Sequence, residues 1–422
     1  MSDINKPKIL DRRRFLRDAV QVATGVGVGG VVLGFTTVPV EVEATNVLTE
    51  RETPGTHGAA ARTPNMSIAL DGEWLIATDA KNSGRDQHWP ARPVSEGRKV
   101  QVPSIIQEAF PEYHGVAWYW REFSGPVHPQ DRGRFLLRFE AVDYLADVWV
   151  NGVHVGSHEG SETPFVLDVT GVVKPKAANL VAVRVLNPAN DPIDGIVLKQ
   201  TPHRNKYFPF FSGASYDSGG IIGSVTLLLV PAVRVEDLFV RPDWKTGSIR
   251  VQANLRNALG KTTRGRLCLK VAPARTGDTL SAVCHDVEVA AAPGENIVEG
   301  ELQVPQARLW DLEDPFLYRV TAHLETEETS EAHDVSVRCG FRDFRVVNGY
   351  FRLNGKRIFL RSTHTGNHCP IGQILPPHSS PDLLRKDMLY AKAAGFNLVR
   401  FIGVAYPYQL DLCDEIGLMV LE

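Results

Sequence analysis

The chain has 422 residues, room for about three domains, with 43% hydrophobic and 23% charged residues, which excludes wholesale disorder. A formal net charge of −3 offers no basic footprint for nucleic acid. Glycine (36) and proline (27) are plentiful, as many short strands joined by turns require.

In chain order, the first element is an export signal over residues 1–44. Arg12, Arg13, Arg14, Phe15, Leu16 and Arg17 precede a glycine-rich apolar stretch from Ala19 to about Val40. Val42-Glu43-Ala44 then supplies the small residues that a signal peptidase reads. Paired arginines followed by apolar residues and another base resemble a twin-arginine signal, whose substrates fold before crossing. A basic flank before a retained membrane anchor is the alternative, because both need positive residues that stay inside. With the signal removed, no other segment reaches the roughly 18 apolar residues of a span. The expected destination is periplasmic or extracellular.

Thr45 to Asn65 reads as a mobile linker. Residues 66–230 then carry short alternating runs, such as Arg134–Phe139 and Asp147–Val150. Asn151-Gly152 follows the second run, supplying the positive φ angles of a tight hairpin that returns through Val153 to Val155. The expectation is a jelly-roll β-sandwich. Trp118, Trp120 and Trp149 alternate within it, a pattern of core packing more than of a sugar platform.

Residues 231–340 predict a second, immunoglobulin-like sandwich, with runs at Val233–Val240, Ser248–Leu255, Arg266–Val271 and Leu317–Leu324. Its immunoglobulin signs, a buried Trp and paired Cys, are missing. The five cysteines, Cys268, Cys284, Cys339, Cys369 and Cys413, show no CxxC spacing. Cys268 and Cys284 are close enough in sequence to pair across neighbouring strands, but buried free thiols are the expectation.

From residue 341 the pattern changes to strand, helix, strand, helix, strand. Arg357–Leu360 reads as a strand. Pro381–Ala394 reads as a helix capped by Ser380 and closed by Gly395, with Leu383, Leu384, Met388, Leu389 and Ala393 on its apolar face. Asn397–Ile402 is a strand, apolar apart from Arg400. Tyr408–Ile416 is a helix ended by Gly417, and Leu418–Leu421 starts another strand. This is the start of a parallel α/β unit. Ending at Glu422, in a strand that should be buried, the chain looks cut.

Several of these stretches together resemble glycoside hydrolase family 2, which contains β-galactosidases, β-glucuronidases and β-mannosidases. They include Gly115-Val116-Ala117-Trp118-Tyr119-Trp120-Arg121, Val148-Trp149-Val150-Asn151-Gly152, Ser218-Gly219-Gly220-Ile221, Phe351-Arg352-Leu353-Asn354-Gly355 and Asn397-Leu398-Val399-Arg400. The resemblance implies a multidomain, mainly β fold: a jelly-roll sugar-binding-like domain, an immunoglobulin-like β-sandwich, then the first part of a (β/α)8 TIM barrel at residues 341–422. It also implies a retaining β-glycosidase with a carbohydrate substrate, no cofactor and no metal. The family places its acid/base after the fourth barrel strand and its nucleophile after the seventh. A barrel needs about 250 residues, against the roughly 70 after Phe351. No catalytic residue is therefore assigned within the chain, and the chain as written is expected to be inactive.

The substrate-binding candidates are Arg400, His364, Asn367, His368, Glu422 and Asp217. Arg400, in an apolar strand, must be paired, and the family resemblance implies that it faces the nucleophile; an ion pair on the barrel rim is the alternative. Polar residues in the His364 to His368 loop suit sugar hydroxyls, while His364, His368 and Cys369 also read as a weaker metal cluster. Glu422 implies a sugar or metal subsite, or else a plain surface carboxylate. Asp217 lies beside a glycine turn. The loop departs from the family's usual pattern at Ser362-Thr363, as does Phe401 to Ala405, so a divergent subfamily is expected. A noncatalytic carbohydrate-binding or scaffold protein is the competing reading. A homo-oligomer is left open.

Overall fold

The structure is a computed structural model that describes residues 61–62, 67–161, 163–201, 218–291, 294–328, 332–365, 383–401, 405 and 407–421. The signal segment, most of the linker, Asn367, His368, Cys369, Glu422 and Asp217 lie outside the described residues. Among the described residues, no helix is long and apolar enough to cross a membrane.

The first sandwich packs a four-stranded sheet on a six-stranded one. The four-stranded order is Phe165–Asp168, Arg134–Phe139, Val225–Val230 and Ser67–Ala69. The six-stranded order is Arg98–Val102, Gly72–Thr78, Gly115–Ser124, Ala178–Asn187, Leu145–Val150 and Val153–Glu159. All neighbours are antiparallel. The period of two sends Val181, Val183 and Val185 into the core between the sheets, where they meet Phe135, Leu137 and Phe139. Asn151 and Gly152 take φ angles of 53° and 81°, the tight turn expected from their sequence.

The other face of the six-stranded sheet is also buried. Trp118, Trp120 and Trp149 stack there with Trp89 from the segment after Thr78, so these rings are core. Beside them lies Arg184, whose side chain has no exposure. Its guanidinium donates to Asn82 (2.7 Å), Asp194 (2.6 Å) and Asp147 (3.2 Å). Arg85 donates to Asp147 at 2.7 Å. Two cations and two anions thus pin the covering segment to the sheet. Burial opposes the charge of Asp147, but the Ser157 hydroxyl, Arg85 and Arg184 outweigh it and hold the carboxyl below its ordinary range.

The second sandwich faces a three-stranded sheet (Val233–Asp243, Ser248–Asn257, Asn296–Gln303) against a second sheet. That sheet runs Ala61–Arg62, His333–Cys339, Tyr318–Thr326, Thr263–Pro273 and Ser281–Val289. Two expectations are corrected here. Part of the stretch read as a mobile linker, Ala61–Arg62, adds an edge strand beside Ser336 and Val335. Cys268 and Cys284 form a disulfide instead of remaining free. They are directly opposite on adjacent antiparallel strands, on the half-buried and exposed outer face rather than in the core where a thiol would be sequestered. The bond lies within one sheet, unlike the inter-sheet bridge of immunoglobulin domains.

Beyond it, Phe344–Val347, Tyr350–Leu353 and Lys356–Arg357 form an antiparallel meander. The strand expected at Arg357–Leu360 is therefore displaced. Asn354 and Gly355, at φ 50° and 80°, turn the chain back, so Lys356–Arg357 belongs to the hairpin and Ile358 to Leu360 are irregular. Ser362–Thr365, Leu398–Phe401 and Met419–Leu421 then pair in parallel, with helices Leu383–Ala393 and Pro407–Ile416 between them. Gly395 and Gly417, at φ 86° and 73°, close the two helices. The buried side of the first helix centres on Met388 and Ala391, while Leu389 and Ala393, expected on the apolar face, are exposed.

Candidate functional site

The parallel sheet has two different halves on its face away from the helices. Period two sends Val399 and Phe401 toward the helices, against Met388, Ala391, Leu412 and Cys413. Leu398 and Arg400 point the other way. At the amino end of that second face, Leu398 and Met419 are sealed by Trp310, Leu353, Ile358 and Leu360. At the carboxyl end the register sets His364 beside Arg400, and Arg400 beside Leu421, all three exposed. The result is an apolar floor under an open polar rim. Ligand groups collect at the carboxyl ends of parallel strands because loops and unsatisfied backbone groups converge there.

Of the six candidate residues, the structure brings His364 and Arg400 together. Asn367, His368, Glu422 and Asp217 fall outside the described residues. The expectation that Arg400 must be paired is corrected: its guanidinium is exposed, with no ion pair among the described residues. The reason is the open face on which it stands, where water solvates the charge. Among the described residues, no group of His, Cys, Asp and Glu is arranged to hold a metal.

Sequence reasoning singled out neither Asn397 nor Trp310 as a positioning residue. The buried Asn397 amide accepts from the Arg361 N–H (2.8 Å) and donates to the Phe359 carbonyl (2.9 Å). Its backbone carbonyl takes the Met419 N–H at 3.0 Å. One residue thus ties the starts of all three strands and sets the register that aligns His364 with Arg400. Asn397→Ala is expected to lower stability by about 1–3 kcal/mol, because the two backbone partners lose their bonds in a buried site. Chemical denaturation measures this, and a variant as stable as the parent would contradict it.

Trp310, 2% exposed, leaves the second sandwich to lie under the sheet, and its indole N–H donates to the Asp414 carbonyl at 2.8 Å. Around it, Arg338 pairs with Asp411 (2.6 Å) and Glu415 on the second helix. Lys392 on the first helix donates to the Leu312 carbonyl (2.5 Å) and the Gly417 carbonyl (2.9 Å). A Cβ on Gly417 would meet the Leu312 carbonyl oxygen at 2.2 Å, so this close approach requires glycine. The only signal in the sequence was one tryptophan near a Pro-Phe turn.

Two β-sandwiches in series, the second clamped onto a parallel β/α unit with an open polar rim, define a modular, carbohydrate-enzyme type of architecture. Residues 68–231 match the model of the glycosyl hydrolases family 2 sugar binding domain, and residues 233–342 match a second glycosyl hydrolases family 2 model. The chain belongs to glycosyl hydrolase family 2. It is similar to the β-glucuronidase of Rattus norvegicus, 29% identical over 403 residues that cover 85% of this chain and 57% of the rat protein. It is also similar to the β-galactosidase of Pectobacterium atrosepticum, 26% identical and covering 84% of this chain and 35% of that one. The crystal structure of a Bacteroides uniformis β-glucuronidase shares the fold at a TM-score of 0.69 and 23% identity, over 85% of this chain and 42% of that one. The chain spans little more than half the length of the rat enzyme it matches.

Proposed function

We propose that the chain serves a retaining β-glycosidase, supplying the two supporting sandwiches and the opening strands of a (β/α)8 barrel. The observation that carries this reading is the parallel sheet with its sealed apolar floor and its His364–Arg400 rim. In a closed barrel this face would be the interior, and the rim would open on the substrate. There Arg400 would hold a neighbouring nucleophile carboxylate ionised, while His364, Asn367, His368 and Glu422 would meet sugar hydroxyls and Asp217 would approach from the first sandwich.

Retaining hydrolysis needs two carboxyl groups about 5–5.5 Å apart, one to protonate the leaving oxygen and one to attack the anomeric carbon. The described residues of the three parallel strands carry no carboxylate. The 422 residues alone are therefore expected to show no turnover of nitrophenyl β-glucuronide, β-galactoside or β-mannoside. A longer product of the same reading frame, with further barrel strands, is expected to cleave at least one of them. Steady turnover by the sequence-verified 422-residue protein would sink this assignment.

We further propose export by a twin-arginine signal, supported by the run from Arg12 to Arg17. A reporter fused behind residues 1–65 should leave the cytoplasm, and changing Arg12 and Arg13 together to lysine should retain it there. Undiminished export of the double variant would remove the twin-arginine route.

A further inference from the structure

On the three-stranded sheet of the second sandwich, the register sets Phe239, Gln252 and Glu299 in one row across the outer face. Arg241, Arg250 and Glu301 form the next row. These residues line an open hollow of about 560 Å³. Phe239 is 54% exposed, although every other strand position around it sends an apolar side chain to the core on the opposite face. Arg250 stands directly opposite both Arg241 and Glu301, yet among the described residues none of Arg241, Arg250, Glu299 and Glu301 makes an ion pair. Elsewhere in this sandwich, opposed charges do close, as in Arg264–Glu288 at 3.1 Å. Like charges set opposite each other cost sheet stability, and an exposed ring gains nothing from burial. Folding alone does not account for this face.

We propose that it is a noncatalytic binding face for a neutral oligosaccharide chain. A pyranose offers an apolar C–H face, which packs on an exposed aromatic ring, and vicinal hydroxyls that each donate and accept. Planar guanidinium, carboxylate and amide groups match those hydroxyl pairs two bonds at a time, and all three kinds stand here with that capacity unspent. Two arginines against two glutamates cancel, so the field draws neither phosphate nor sulfate polymers, and Glu299 and Glu301 repel acidic sugars. Three strands spaced about 4.8 Å apart make a platform about 10 Å across, enough for a short run of sugar rings. This site is separate from the parallel-sheet rim and does not depend on the chain cleaving anything.

The test is native affinity electrophoresis of the whole 422-residue chain in gels holding hydroxyethyl cellulose, xyloglucan, galactomannan or polygalacturonate, with titration calorimetry on any polymer that retards it. Retardation by at least one neutral polymer is expected, with binding about tenfold weaker in Phe239→Ala, weaker in Glu299→Gln, and restored in Phe239→Tyr. Circular dichroism checks that the variants fold, and Phe239→Tyr keeps the test decisive if Phe239→Ala does not. No retardation by any neutral polymer, retardation by polygalacturonate alone, or full binding in Phe239→Ala would each overturn the proposal. So would sedimentation showing a dimer that Phe239→Ala dissociates, because the face would then be a contact between copies.

Discussion

Trp310→Ala is expected to cost about 3–5 kcal/mol of stability, the range for deleting a large buried aromatic side chain, and to do so locally. The indole is buried among Leu353, Met419, Leu312 and Leu398, so its loss opens a hole beneath the parallel sheet that no single neighbour can fill. The Asp414 carbonyl also loses its donor. Because Trp310 belongs to the second sandwich and its neighbours to the β/α unit, the weakened boundary is the one between them. Limited proteolysis should therefore release residues beyond about Phe341 from the variant much faster than from the parent, with both sandwiches intact. Trp310→Phe keeps most of the packing and loses the hydrogen bond, at about 1 kcal/mol. Equal protease resistance in the parent and the alanine variant would refute the clamp.

Arg184→Met is expected to be comparably severe, about 3–5 kcal/mol, because it strands two carboxylates that were buried around a cation. Arg85 still reaches Asp147 at 2.7 Å but Asp194 only at 3.4 Å, and its own side chain is 43% exposed, so it compensates in part. The pH dependence supplies an independent check. The folded-state pKa of Asp147 is held below its unfolded value, so its contribution is fully present above the unfolded value of about 3.9. It is lost as pH falls through the lower folded value. Removing Arg184 raises the folded value toward the unfolded one, so the acid limb of a stability–pH curve should flatten in Arg184→Met. Thermal melts from pH 3 to 7 measure it, and an acid limb of parental steepness would contradict the network.

Local chemistry made much of the fold legible in sequence. The Asn151-Gly152 turn demands two positive φ angles, and few other pairs provide them. The two closing helices were bounded by residues with positional meaning, Gly395 and Gly417. What stayed hidden depended on partners far along the chain. The roles of Trp310 and Asp414 are separated by more than a hundred positions, and no local pattern connects them. The Cys268–Cys284 bond required the exact register of two strands, which turns on the length of the loop between them. The hairpin at Asn354-Gly355 carried the same signal as Asn151-Gly152, but its short return strand blurred into the apolar run Ile358 to Leu360. For the site, the position of Arg400 in its strand was readable, whereas its solvent exposure followed from which face of the sheet lay open.

The bridge between Cys268 and Cys284 has a bearing on the order of events in the life of the molecule. Sulfur–sulfur bonds persist in oxidising surroundings and are rare in a reducing cytosol. A polypeptide that crosses a membrane already folded would arrive with both thiols still apart, on strands whose backbone pairing had already brought them face to face. The sheet would then act as the template and the covalent link as a late rivet, sealing an arrangement that existed before the oxidant was met.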